Sequence, residues 1–389
     1  MYYLHGDVIL DGKIVRGQFV EIVDGLITYV GELKRQDYPV DEVENGYICP
    51  GFVDIHIHGV DGVDLSDDQM GVFEEIAVGL PKYGVTAFLA TSRTSSKRDL
   101  VRFLGTASRY RDKNGRAARM LGTHIEGPWI SKKYKGAQPE EYIRRLSWED
   151  VDEIIDPYKD VVKKVTIAPE ELDDYTIISC LARCGIQVSA GHTNASLDDI
   201  GRAMEYGLNQ LTHTFNAMSM LHHREPGVVA AALYYSELIC ELITDGLHVH
   251  PKVIELLYRV KGKKGVALIS DCTGYNDLED GEYFLRNKHL VKKENKVTLK
   301  SGNLAGSALT LDKGVGYVVN ECGIPLEDAV YMATQTPLEA IRENDRLGRI
   351  DVGYKADIVI LDEKLEVERT IINGEIVFER GQSLWGLEE

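Results

Sequence analysis

The chain has 389 residues, 44% apolar and 27% charged, a composition that suits one large α/β domain with a smaller satellite. Its formal net charge of −18 argues against a nucleic-acid partner, which would favour a basic face, and leaves any phosphate to be held by local donors. No apolar run approaches the ~20 residues of a bilayer-spanning helix, so no membrane partner is expected; the longest, Val228 to Tyr235, is far too short. The opening Met1-Tyr-Tyr-Leu-His-Gly-Asp7 has neither the basic region nor the apolar core of a signal peptide. Six cysteines, at 49, 180, 184, 240, 272 and 322, lack zinc-ribbon or CxxC spacing and are expected to be free thiols in a reducing cytoplasm.

Residues 1 to 49 alternate apolar and polar positions, broken by Asp11-Gly12 and Asp24-Gly25, dipeptides that favour tight hairpin turns. A related pattern returns at the far end in Ala356-Asp-Ile-Val-Ile-Leu361, Thr370-Ile-Ile372, the turn Asn373-Gly374 and Glu375-Ile-Val-Phe378. The two ends are expected to build one small β-sandwich domain, 1–49 with 346–389, the alternative being two unrelated edge hairpins.

Between them, in 50–345, strand-like runs alternate with helical patterns. The strands read Gly51–Ile57, Thr86–Thr91, Arg119–Ile125, Val165–Ala168, Gln187–Ala190, Gln210–Thr212, Leu238–Thr244 and Val266–Ser270, with helices such as Thr176–Cys184, Leu197–Tyr206 and Pro251–Val260 between them. Eight strands with helical crossovers imply a parallel sheet closed into a (β/α)8 TIM barrel. The stretch Tyr275 to Ser307, with turn signals at Asp280-Gly281, Glu294-Asn295 and Ser301-Gly302, reads as a hairpin inserted after the eighth strand and roofing the site.

The strand ends carry the chemistry. In Pro50-Gly-Phe-Val-Asp-Ile-His-Ile-His58 the two-residue period puts His56 and His58 on one face of one strand. Glu126, His192, His213, Asp245 and Asp271 stand at the ends of later strands. Together Glu126, His192 and His213 make an open three-ligand site for a divalent ion such as zinc or iron, with Glu126 able to bridge to a second ion held by His56, His58 and Asp271. Asp271 reads either as a ligand or as a general base, since metal coordination lowers the pKa of water to about 7 and a carboxylate then needs only hydrogen-bond reach.

A second constellation suits a phosphorylated, hydroxylated ligand: His213-Thr-Phe-Asn-Ala-Met218, Leu221-His-His-Arg-Glu-Pro-Gly227, and Thr244-Asp-Gly-Leu-His-Val-His250, which contains Asp245 and His248. Arg224 offers a forked donor set for phosphate, or a surface salt bridge to Glu225. Asn303-Leu-Ala-Gly-Ser307 is a small-residue turn whose backbone can approach a ligand, or a helix cap with Ser307 as the capping residue.

The chain resembles the N-acetylglucosamine-6-phosphate deacetylases of the amidohydrolase superfamily. The resemblance rests on Pro50–Gly59, His124-Ile-Glu-Gly-Pro-Trp-Ile-Ser131, Ser189-Ala-Gly-His-Thr-Asn194, Leu211–Met218, Arg224-Glu-Pro-Gly227, Asp245-Gly-Leu-His248, Leu304-Ala-Gly-Ser307 and Gly348–Asp357, and runs from about residue 5 to 378. It implies a barrel with a small β-sandwich, a homodimer, and hydrolysis of the acetamido group of an amino-sugar phosphate to acetate. It implies that Glu126, His192 and His213 bind the principal metal and that Asp271 is the catalytic acid/base. Asn216, Ala217, Arg224, His248 and the turn Leu304, Ala305, Gly306 and Ser307 would contact the sugar phosphate. Ala137 and Gln138 fall where some members carry a histidine beside the substrate, and glutamine cannot exchange a proton. Some members lack the His-x-His pair and hold one metal; this chain keeps it, so a second ion is expected. The alternatives are the galacto epimer of the substrate, a cyclic amidase, against which stands the lack of a bridging lysine at Glu126, and a non-catalytic sugar-phosphate-binding protein.

Overall fold

A computed structural model describes residues 1–67, 71–111, 115–285, 288–294, 296–300, 302, 304–343 and 346–382. Of the sequence expectations, Asn295, Ser301, Asn303, 344–345 and 383–389 lie outside the described residues.

The expected barrel is present. Its strands are Phe52–Ile57, Val85–Ser92, Arg119–Glu126, Val162–Ile167, Gln187–Ala190, Leu208–Leu211, Ile239–Ile243 and Val266–Ile269, parallel and in sequence order. Side chains buried on both faces explain why these runs are nearly continuous in apolar residues rather than alternating. The seam between the eighth and first strands closes at the C-terminal end of the strands, where Asp271 N donates to His56 O at 2.9 Å and His58 N to Cys272 O at 2.8 Å. Helix Leu326–Ile341 packs across that seam through Leu338, Ala340 and Ile341, against Val53, Ile55, Ala267 and Ile269. The fourth strand starts three residues earlier than its apolar pattern suggests, because Lys164 is not a surface lysine but lies fully buried.

Helices follow the strands as expected, at Thr176–Arg183, Leu197–Glu205 and Pro251–Lys261. The second starts at Ser196, whose hydroxyl accepts from Asp199 N while the Asp199 carboxylate accepts from Ser196 N, a reciprocal capping box. The third starts at Pro251, whose fixed φ suits a first turn.

Both chain ends form one seven-stranded sheet. Val40–Pro50 runs parallel to Tyr2–Leu10 on one side and antiparallel to Ile358–Asp362 on the other, so it joins the N-terminal strands to the C-terminal ones. The sandwich is thus a single sheet whose halves share an apolar cluster that includes Leu4, Val20, Ile48, Ile358 and Ile371. Asp11-Gly12, Asp24-Gly25 and Asn373-Gly374 all adopt positive φ, the conformation their turns require. This sheet touches the barrel through Asp357, which accepts from Asn373 N at 2.8 Å and pairs with Arg119 at the start of the third barrel strand.

The insertion after the eighth strand has one strand more than a hairpin. Gly281–Leu285, Lys288–Lys293 and Lys296–Leu299 form an antiparallel sheet, and Tyr275, Leu290, Val297 and Ala305 pack as its own small core. The chain returns from it to the barrel mouth at Leu304 and Gly306.

Candidate active site

Six side chains from five barrel strands converge at the mouth in two groups: Glu126 with His192 and His213, and His56 with His58 and Asp271. Within each group the potential ligand atoms lie within 4.8 Å of one another. Glu126 joins them. Its Oε1 is 3.1 Å from His213 Nε2, 3.3 Å from His192 Nε2 and 3.4 Å from His56 Nε2, and its Oε2 is 3.3 Å from His58 Nε2. Asp271 Oδ1 stands 3.2 Å from His58 Nε2 and 3.5 Å from His56 Nε2.

The outer nitrogens of three rings are committed elsewhere. His192 Nδ1 donates to the Tyr134 carbonyl at 2.9 Å, His58 Nδ1 to the Thr91 carbonyl at 3.1 Å, and His56 Nδ1 lies 3.0 Å from Glu241 Oε2. Such partners fix the tautomer that leaves Nε2 bare, as metal-binding histidines need. His192 Nε2 and His213 Nε2 are nonetheless 3.1 Å apart, and His56 Nε2 has no hydrogen-bond partner among the described residues. A bare imidazole nitrogen facing a carboxylate oxygen, as at His192, repels it unless a cation lies between them. The nitrogen and oxygen donors suit a borderline divalent ion.

Electrostatics points the same way. Burial pulls His213 below the usual imidazole range, favouring the neutral ring that can ligate. Burial also works to lower His56, but Asp271, Glu241 and Glu126 together push it up to about 10, so these acids demand a positive charge at that spot. Burial alone would raise the Asp271 carboxyl; charged His56 and the hydrogen bond with His58 hold it at about 2.

The backbone is strained where the site forms. His192, His213, Ala217 and Asp271 all have φ between 32° and 49°, a region that costs a non-glycine residue roughly 1–3 kcal/mol. Their neighbours hold them there: Ser131 N donates to His192 O at 2.8 Å, Thr193 N to Ala217 O at 3.1 Å, and Thr214 N to Glu241 O at 2.8 Å. Gly127, after Glu126, has φ 73°, and a Cβ there would meet Thr94 Oγ1 at 2.0 Å. The turn that aims Glu126 therefore requires glycine.

A chamber of about 510 Å³ stands over these groups. Of the residues expected at the substrate, Ala137 and Gln138 line it from the loop after the third strand, Asn216 and Ala217 from the sixth, and His248 from the seventh. Leu304 and Gly306 line it from the returning insertion. The others do not. Asp245 sits behind His248, accepting from its Nδ1 at 2.7 Å and from Leu247 N and His248 N at 2.8 Å. Ala305 turns into the insertion's apolar core, and Ser307 is buried, its hydroxyl accepting from Leu309 N at 2.8 Å. Arg224 lies on an exposed segment and donates to His223 Nε2 at 2.8 Å, away from the chamber of its own chain.

Sequence reading missed three features. Lys132, Lys133 and Lys135 line the chamber; a basic run just after Glu126-Gly-Pro in an acidic chain was the available signal. Arg93, after the second strand, also lines it, with its guanidinium 2.7 Å from Asp64 Oδ2. Beneath the ligand groups, Lys164 and Glu241 form a fully buried ion pair, and Glu241 also accepts from His213 N at 3.2 Å. No local pattern marks a charged residue inside a strand as facing the barrel axis.

Comparison with known proteins agrees with this geometry. The amidohydrolase family model matches residues 47–377. An N-acetylglucosamine-6-phosphate deacetylase of Vibrio furnissii is 32% identical over 380 residues, covering 98% of this chain and 94% of that one. An N-acetylgalactosamine-6-phosphate deacetylase of Escherichia coli O157:H7 is 31% identical over 357 residues, covering 92% and 94%. Among solved structures, the D267A mutant of the N-acetyl-D-glucosamine-6-phosphate deacetylase of Mycobacterium smegmatis, in complex with N-acetyl-D-glucosamine-6-phosphate, superposes with a TM-score of 0.89 at 27% identity, over 97% of this chain and 98% of that one. Fold, converging side chains and kinship give one conclusion: the chain belongs to the amidohydrolase family, in the branch that holds the N-acetylglucosamine-6-phosphate deacetylases.

Proposed function

We propose that the chain hydrolyses the acetamido group of N-acetylglucosamine 6-phosphate to glucosamine 6-phosphate and acetate. The observation that carries this reading is the meeting of Glu126, His192 and His213 with Asp271 on the floor of one chamber, in a chain about a third identical to deacetylases of that substrate. Glu126, His192 and His213 would hold the principal divalent ion, zinc or iron, and His56, His58 and Asp271 a second, with Glu126 standing between the two groups. Bound there, such an ion supplies a water of lowered pKa and a polarised amide carbonyl.

Asp271 does the proton work. Its carboxylate, charged at neutral pH, takes a proton as water adds to the carbonyl carbon, and returns it to nitrogen as the C–N bond breaks. His248 and Asn216 face the space left for the sugar phosphate, and the Lys132–Lys135 run gives the chamber a positive wall. Arg224 joins them only from a second copy. Met220 and Leu221, 62% and 60% exposed beside it, support a homodimer in which this segment is covered. The six cysteines are free thiols, which supports a reducing, cytoplasmic setting.

The galacto epimer is the second reading, favoured by the Escherichia coli relative. A non-catalytic sugar-phosphate binder has no need of Asp271 poised beside the ligand groups. Acetate release from both epimers, measured with and without chelator, tests all three: the proposal requires chelator-sensitive release with the gluco substrate preferred.

A further inference from the structure

A second cavity, of about 520 Å³, adjoins the chamber, and the two meet at Arg93 and Gln138. Its size is that of a ligand site, and no step of acetamide hydrolysis uses it. Phe73, Phe103 and Leu65 give it apolar walls; Ser92, Arg93 and Thr94 give it a polar edge. Those three consecutive residues each carry a buried polar atom that has no hydrogen-bond partner among the described residues: Ser92 Oγ, Arg93 Nε and Thr94 Oγ1. Buried polar groups are normally paired, so three in a row need a reason. The two hydroxyls can rotate about χ1 toward a bound oxygen without breaking an existing bond.

Barrel order says which part of a substrate points there. Asn216, Ala217 and His248 belong to the sixth and seventh strands; Arg93 and Gln138 follow the second and third, across the mouth, with the ligand cluster between them. In a trans amide the N-substituent and the acyl chain leave on opposite sides of the C–N bond. A sugar phosphate seated toward the sixth and seventh strands therefore sends its acyl chain toward the second and third. Acetyl ends after one methyl group, whereas the cavity continues.

Resting on the deacetylase reading above, we propose that this cavity is an acyl-side subsite that admits N-acyl groups longer than acetyl and ending in a hydroxyl or carboxylate oxygen. Water adds to the same carbonyl carbon, the same C–N bond breaks, and the longer carboxylic acid leaves in place of acetate. The balance of atoms is unchanged, so no further reactant is needed.

The test is a series of N-acetyl, N-propionyl, N-glycolyl and N-succinyl glucosamine 6-phosphates, with the free amine measured. The subsite predicts that N-glycolyl and N-succinyl substrates keep kcat/KM within tenfold of N-acetyl, and that N-glycolyl exceeds the equally long N-propionyl. Thr106→Trp, which fills the cavity from helix Lys97–Tyr110, should cut N-succinyl hydrolysis at least tenfold and spare N-acetyl. Thr94→Val should lower N-glycolyl relative to N-propionyl. A wild-type chain that releases acetate but turns over N-glycolyl and N-succinyl substrates a hundredfold more slowly overturns the subsite and leaves the deacetylase reading intact. Failure to release acetate at all overturns that reading instead. A Thr106→Trp variant that is folded by circular dichroism and loses nothing on N-succinyl also overturns the subsite.

Discussion

Gln138 donates its side-chain N–H to Glu126 Oε2 at 2.8 Å and accepts the backbone N–H of Thr94 at 3.1 Å. It is a strut between the second-strand loop and the carboxylate that joins the two ligand groups. A residue whose sequence position suggests substrate contact therefore also orients a candidate metal ligand, and an amide does this without a proton to lose. Supporting partners of this kind are worth about 10–100-fold in metal affinity. Gln138→Ala is expected to fold normally and to weaken metal binding by about that factor, as read by metal titration of the chelated protein. Unchanged affinity would remove the strut from the argument.

Asp271→Asn keeps the shape of the side chain and removes its ability to take a proton. Positioned acid–base groups contribute about 10²–10⁴-fold, so kcat should fall by at least the lower figure while the metal proposed at Glu126, His192 and His213 stays bound. Metal analysis beside kinetics separates the two effects. Turnover near the wild-type rate would end the proposed role of Asp271.

A residue's legibility in the sequence depends on where it sits in its element. His56, His58, Glu126, His192, His213 and Asp271 stand out because an apolar run stops at a polar residue, and a parallel barrel collects such stops at one end. Lys164 and Glu241 were illegible for the opposite reason: both lie within strands, where a charge reads as surface, and only barrel closure turns them toward a shared interior. Arg224 was legible as a donor, but its distance from the chamber depends on the path of an exposed segment, which no periodicity fixes. The insertion's extra strand was lost because no turn signal was read between Gly281–Leu285 and Lys288–Lys293, which therefore read as one run.

Lys164 and Glu241 yield a stability prediction. Both are fully buried and paired, and Glu241 also supports His56 and His213. Removing one partner of a buried pair costs about 3–5 kcal/mol, because the other charge is left without compensation. Lys164→Met should lose about that much in urea unfolding of the metal-free chain, and Lys164→Met with Glu241→Gln should recover part of it. A single variant within about 1 kcal/mol of wild type would mean that the pair is hydrated.

Arg224→Ala probes the second copy. If the exposed 220–226 segment reaches a partner's chamber, the variant should raise KM for the phosphorylated sugar far more than for its unphosphorylated analogue, with kcat little changed. The same protein should sediment as a dimer. Equal effects on both sugars would show that Arg224 does not read phosphate.

His248 gives the pH dependence. Burial works to lower its pKa, but the hydrogen bond and charge of Asp245 outweigh burial and raise it above 6.5. A raised value keeps the imidazolium below the folded pKa and loses it as pH climbs through that value; the stability gained from the Asp245 pair is full below the unfolded value and fades over the same rise. The imidazolium therefore persists to higher pH than that of an ordinary histidine, and while it persists the chamber presents a positive His248 to the sugar phosphate. KM for the phosphorylated sugar should increase on the alkaline side while KM for the unphosphorylated analogue stays level, and His248→Gln should abolish the slope. A ratio of the two KM values that is flat from about pH 6 to 9 in the wild-type protein would show that the charge on His248 is not what holds the phosphate.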